Sequence, residues 1–141
     1  MDSDAVNTLL SIGGAGGSLT VAVRQQANRS AEEPWYDAEV TAEAAPFAGT
    51  LTPVFTLGDL HRWGQALIGL EGGTGRAVLG GGRAAELTLG AEPQVGGPPG
   101  RVVISVDLTP SGDDPYPRLS YLIFDVPASW SQAGALVAEL D

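Results

Sequence analysis

Apolar and polar residues alternate with a period of two along several segments of this chain. The segments "SLTVAVR", "YDAEVTAEA" and "RVVISVDLT" all show this pattern. Successive side chains of a β-strand point to opposite faces, so the alternation predicts strands that each bury one face. In the second segment the face predicted to be buried carries Ala38, Val40, Ala42 and Ala44. Gly- and Pro-containing turns separate the strands, which favours antiparallel pairing.

Two segments have helical spacing instead. "TLGDLHRWGQALIGLE" repeats apolar residues every three or four positions, and Thr56 with Asp59 resembles a capping box. Its interior glycines weaken a helix, so we expect it to depend on tertiary packing, with Gly64 allowing a close approach. "PASWSQAGALVAELD" predicts a second, closing helix.

The order of these segments predicts an α+β fold in one domain, residues 1–141. We expect four strands, a helix, four strands and a helix, with an antiparallel sheet of about eight strands and both helices packed on one face. "FAGTLTPVF" is interpreted as a single fourth strand, in which Pro53 marks an edge or a bulge. "RLSYLIFDV" is apolar on nearly both sides, which predicts a central strand.

Composition excludes several classes of chemistry. The chain has 141 residues, of which 43% are hydrophobic and 17% charged, enough apolar material for a core. It contains no cysteine, which excludes disulfides and thiol nucleophiles. All seven basic residues are Arg, so lysine-based mechanisms are excluded too. The acidic start "MDSDAV" and the lack of a long apolar run predict a cytoplasmic protein without a membrane segment.

The formal net charge of −10 bears on the choice of partner. An acidic surface repels nucleic acid and anionic lipid, and it attracts basic proteins or cations. The charge also serves solubility, which is its simplest interpretation. We therefore expect no nucleic-acid or membrane partner.

Three carboxylates lie on the polar side of one predicted strand: Asp37, Glu39 and Glu43. Asp37 and Glu39, two residues apart on the strand, lie about 7 Å from each other, and two like charges at that distance repel by over about 2 kcal/mol at an effective dielectric of 20. The row therefore favours a solvated face, with a protein-binding face next and a catalytic or metal site last. Arg24 and Arg101 are candidates for cross-strand pairing with it.

Other polar groups predict no active site. Asp113 and Asp114 suit a polar turn, and His61, the single imidazole, suits a helix surface. The glycine clusters lack the Lys of a P-loop and the context of a dinucleotide fingerprint, so they are interpreted as turns. We expect no catalytic residue, no metal ligand and no cofactor.

Trp35 is the strongest candidate for a binding residue. It precedes the acidic strand, and an exposed Trp rimmed by carboxylates suits contact with a basic protein. The predicted partner-binding residues are Trp35, Asp37, Glu39, Glu43, Glu32 and Glu33.

The order of several segments resembles the WapI-like proteins. The resemblance lies in Trp35 with "DAEV", "PFAGTLTPVFTLGDLHRW", "RAVLGGGRAAELTLGAE", "GRVVISVDL" and "RLSYLIFD". These small bacterial proteins are named for an immunity protein that neutralises a tRNA-targeting toxin. The resemblance implies a non-catalytic protein that masks a toxin domain, and no catalytic motif comes with it.

Three hypotheses follow. The first is a non-catalytic binding protein, immunity-like, that masks a basic partner with its acidic strand face. The second is a structural domain that forms homo-oligomers through sheet edges or an apolar face. The third is an enzyme that uses Asp37, Glu39 or Asp113.

Overall fold

The described strands form two antiparallel sheets. The computed structural model describes residues 6–26, 34–70, 73–80, 86–93, 101–109, 119–127 and 131–140. In the first sheet, β1 (Asn7–Gly14), β2 (Gly17–Gln25), β3 (Trp35–Ala44) and β4 (Phe47–Leu51) lie side by side, and β5 (Val54–Thr56) also pairs with β3. The second sheet contains β6 (Gly75–Gly80), β7 (Glu86–Pro93), β8 (Arg101–Thr109) and β9 (Leu119–Pro127) in chain order. The α+β class is thus compatible with the structure, but the predicted single sheet of about eight strands is wrong.

The predicted fourth strand is two strands. β4 and β5 are separated by Thr52 and Pro53, and both pair antiparallel with β3 along the same edge. Proline cannot donate to a strand ladder, which accounts for the break. The carbonyl of Pro53 still accepts a 2.8 Å hydrogen bond from the Ala38 amide, so the chain stays beside β3. The first helix consequently follows five described strands, not four.

The inner faces of both sheets share one hydrophobic core. On β3 the predicted residues Ala38, Val40 and Ala42 are buried and Ala44 is half-buried, and on β8 the residues with period-two spacing are buried, as the alternation predicts. On β8 these are Val102, Ile104, Val106 and Leu108.

Two helices add to this core. α1 (Leu57–Gly69) begins with the predicted capping box: the Asp59 amide donates to Thr56 Oγ1 at 3.1 Å, and the Thr56 amide donates to Asp59 Oδ2 at 3.2 Å. α2 (Ser131–Ala138) packs across α1, and a Cβ added at Gly64 would lie 2.8 Å from Val137 Cγ1. Gly64 therefore allows the close approach that was predicted, although the neighbour is a helix. α1 also contacts β5 and β6, whereas α2 contacts β1, so the helices do not cover one face of a single sheet.

The turn between β1 and β2 joins the two sheets. Ala15 pairs with Phe124 of β9, with amide-to-carbonyl distances of 3.1 Å and 2.7 Å in the two directions. β9 was predicted to be central, but among the described strands it is an outer strand of its sheet and pairs along its length with β8. Its apolar residues are therefore not all in the core. Ile123 faces the core, while Leu122 and Phe124 remain 46% and 40% exposed.

Candidate functional site

The predicted carboxylate row lies on the outward face of β3. This strand runs through the middle of the first sheet, between β2 on one side and β4 with β5 on the other. Glu39 and Glu43 are exposed and Asp37 is half-buried, whereas the alternate residues face the core. We call Trp35, Asp37, Glu39 and Glu43, with the outward side of β3 that carries them, the acidic face.

Among the described residues, no ion pair joins a carboxylate of the acidic face to an arginine. Asp37 Oδ1 accepts a 2.8 Å hydrogen bond from Gln26 Nε2. Arg24 is the register partner of Asp37 on β2, but within the described ranges no ion pair joins the two side chains. Arg101 is not a neighbour at all, because it lies on β8 in the second sheet and donates to the Asp125 carbonyl at 3.3 Å. The predicted arginine pairing is therefore not formed in the structure.

The carboxylates do not converge on one cavity. Asp37 and Glu39 border a shallow depression of about 470 Å³ that Arg24 and Thr52 also line. Glu43 borders a different depression of about 760 Å³, between the β1–β2 turn and the β3–β4 turn. Four residues along a strand separate Glu39 from Glu43 by about 13 Å. This arrangement offers a broad charged surface rather than a pair of groups around one reacting atom.

Exposed apolar side chains lie near both ends of β3, Trp35 and Val54 on the acidic face and Phe47 on the opposite side of the sheet. Trp35 is 40% exposed at the start of β3, and Val54, the register partner of Asp37, is 37% exposed. At the other end Phe47 is 70% exposed and lines the depression beside Glu43. The sequence pattern placed Phe47, with Leu51 and Phe55, in the predicted fourth strand and did not indicate its exposure. Its position directly after the β3–β4 turn, beyond the last buried residue of β3, is the signal that would have identified it.

Tyr121 comes close to Glu43 from the second sheet. Its hydroxyl donates a 2.7 Å hydrogen bond to the Ser18 carbonyl. Burial, assisted by the negative charge of Glu43 and opposed by a hydrogen bond with the Glu43 backbone, raises the pKa of Tyr121 to about 12. Tyr121 is therefore a neutral hydrogen-bond donor near neutral pH.

The remaining candidates lie elsewhere. Glu32, Glu33, Asp113 and Asp114 lie outside the described residues. His61 is half-buried and its Nε2 lies 3.1 Å from the Leu140 carbonyl oxygen, so it contacts the segment after α2 rather than a fully open surface. In the part of the chain that the structure describes, no three His, Cys, Asp or Glu side chains group as metal ligands, and no helix is long and apolar enough to cross a membrane.

Comparison with protein families gives a match for most of the chain. Searches of curated proteins and of solved structures find no match. Residues 7–109, which run from β1 to the end of β8, match a family of unknown function, DUF5959. This match assigns no activity and does not connect the chain to the WapI-like proteins. Because it covers more than half of the sequence, the chain belongs to the DUF5959 family.

Proposed function

We propose that the protein is a non-catalytic binding protein whose acidic face docks a basic protein partner. The observation that carries the proposal is the arrangement of Asp37, Glu39 and Glu43 on the outward side of a central strand, beside the exposed indole of Trp35. Charges fixed on a paired strand keep their spacing before the partner arrives, which limits the ordering cost of binding.

The electrostatics favour a basic partner. The chain has a net charge of −10, and the acidic face adds a local concentration of negative charge. Complementary charge speeds association and selects against acidic competitors. The resemblance to the WapI-like proteins suggests that the partner is a toxin domain and that the role is immunity.

A capture experiment tests this function. The full chain, tagged and immobilised, is incubated with lysate of the source organism, and bound proteins are quantified by mass spectrometry beside the Trp35→Ala variant. We expect a basic protein to be enriched, and its affinity to fall at least tenfold in the variant, since a Trp that acts as a hot spot contributes about 2 kcal/mol or more. Val78→Ala is the control, because Val78 is a similarly exposed apolar residue (43%) in the second sheet.

Two results would contradict the proposal. Recovery of the protein itself alone would support the homo-oligomer hypothesis instead. Equal capture of the basic protein by the wild type and by Trp35→Ala would show that the Trp35 indole does not contribute to binding, contrary to the proposal.

A further inference from the structure

Among the described residues, β4 is an outer strand of the first sheet. It pairs with β3, and within the described ranges no other strand pairs with it. Its sequence, "FAGTL", contains neither a charged residue nor a proline, and four of its five residues are exposed. Proteins usually protect outer strands with Lys, Pro, bulges or a covering segment. An uncharged outer strand of this kind is suited to pairing with another chain.

The main-chain groups of Ala48 and Thr50 point away from β3. The Ala38 amide donates to the Pro53 carbonyl, so the even-numbered residues of β3 direct their main-chain groups toward β4 and β5. Those residues are register partners of Phe47, Gly49 and Leu51. The alternate residues of β4 therefore present their N–H and C=O groups to whatever lies beyond the sheet.

The outward side of β4 connects this edge to the acidic face. Ala48 is the register partner of Glu43, and Thr50 is that of Thr41. A strand added beside β4 would lie about 10 Å from β3, twice the usual strand spacing. Because the Ala48 side chain is short, an Arg or Lys on the added strand can extend over it to the Glu43 carboxylate.

The opposite side of β4 is apolar. Phe47 is 70% exposed there, and a Cβ added at Gly49 would meet nothing within 4 Å. An apolar side chain of an added strand can cover the Phe47 ring and the space over Gly49. The edge therefore favours an added strand that carries basic residues on one side and apolar residues on the other.

We propose that β4 binds an extended segment of the protein partner as an added β-strand, in which basic residues alternate with apolar ones. The inference rests on the proposed function, since it takes the partner to be a basic protein, and it adds the binding mode. Charge complementarity argues against a second copy of this chain as the strand that pairs with β4. A copy of "FAGTL" would bring no basic side chain to Glu43.

A synthetic peptide tests the inference. The probe is a fluorescein-labelled octapeptide of alternating Arg and Val, and its binding to the full chain is followed by fluorescence anisotropy. In one further peptide all Arg amides are N-methylated, and in another all Val amides are N-methylated. Each modification removes the amide hydrogen-bond donors from one edge of the extended peptide. The chain variants are Thr50→Pro, which removes an outward amide, and Thr50→Val, which keeps it.

We expect the parent peptide to bind the wild type and Thr50→Val. We expect binding to weaken about tenfold or more in Thr50→Pro and with at least one N-methylated peptide, since main-chain hydrogen bonds are then lost. If Thr50→Pro does not fold, the binding of the N-methylated peptides to the wild type tests strand addition instead. Unchanged binding of both N-methylated peptides would show attraction by charge alone and overturn strand addition. A dimer of the chain by analytical ultracentrifugation that excludes the peptide would also overturn it.

Failure of strand addition is distinguishable from failure of the proposed function. If a captured basic protein still depends on Trp35 but binds Thr50→Pro normally, the acidic face remains the binding surface and β4 is not. If no basic protein is captured, the proposed function itself fails.

Discussion

The Tyr121 hydroxyl donates a 2.7 Å hydrogen bond to the Ser18 carbonyl oxygen and so ties β9 of the second sheet to β2 of the first. The two residues are 103 positions apart in the chain. The Ala15–Phe124 bridge joins the neighbouring β1–β2 turn to the same strand, β9. This contact between sheets lies beside Glu43, so it supports one end of the acidic face.

Replacement of Tyr121 by Phe tests the energy of this contact. We expect Tyr121→Phe to lower the free energy of unfolding by about 1 kcal/mol, the usual net contribution of one hydrogen bond. Urea denaturation at pH 7 measures the difference. Stability equal to that of the wild type would show that water replaces the Tyr121 hydroxyl at the Ser18 carbonyl.

The same residue predicts a pH dependence. The pKa of Tyr121 is about 12 in the folded protein against an ordinary value of 10.0, so the folded chain holds a proton that the unfolded chain loses. The stability that comes from the neutral phenol is fully present below pH 10 and is lost as pH rises through 12. We therefore expect the wild type to lose stability faster than Tyr121→Phe across this range. The chain contains no lysine that would titrate between pH 10 and 12. Parallel curves of unfolding free energy against pH for the two proteins would contradict the prediction.

The crossing of α1 and α2 depends on glycine. A Cβ at Gly134 would meet the Ile68 side chain and lie 2.9 Å from the Gly64 carbonyl oxygen. We expect Gly134→Ala to destabilise the fold by about 1 to 3 kcal/mol, since overpacking outweighs the gain in helix propensity. In the control Gly69→Ala the new Cβ meets nothing within 4 Å, so stability should stay equal or rise by up to about 1 kcal/mol. Thermal unfolding compares the two, and similar melting temperatures would contradict the close crossing.

The turn between β1 and β2 also requires glycine at one position. Gly16 has φ +101°, and a Cβ there would lie 2.8 Å from the Leu122 carbonyl oxygen. We expect Gly16→Ala to cost about 1 to 3 kcal/mol through backbone strain and a displaced β9. Gly13→Ala is the matched control, because its Cβ would make one ordinary contact, with Ser18 Cβ at 3.7 Å. Equal urea midpoints for the two variants would contradict the proposed role of this turn.

The sequence predicts the local structure better than the arrangement of sheets. The alternation on β3, the capping box at Thr56 and the buried face of β8 follow from side-chain direction and local hydrogen bonding, which the residue order determines. The division into two sheets depends on contacts between distant residues, such as Tyr121 with Ser18, and a local period does not report them. For the same reason β9 was predicted to be central.

The candidate site shows the same limit. The common face of Asp37, Glu39 and Glu43 follows from a period of two. The exposure of Phe47 and the open edge of β4 depend on where the sheet ends, which the alternation does not specify. The position of Arg101 in the other sheet could not be predicted either.

Matched charge reversal tests the binding role of the acidic face most directly. The double variant Glu39→Arg/Glu43→Arg and the control Glu92→Arg/Glu139→Arg change the net charge equally, but the control residues are exposed in β7 and after α2. The measurement is the affinity of the captured basic partner at low and at physiological salt. We predict that the Glu39/Glu43 variant loses at least tenfold in affinity and most of the salt dependence, while the control stays near the wild type. Equal losses in the two variants would contradict the proposal, because they would show an effect of overall charge rather than of this face.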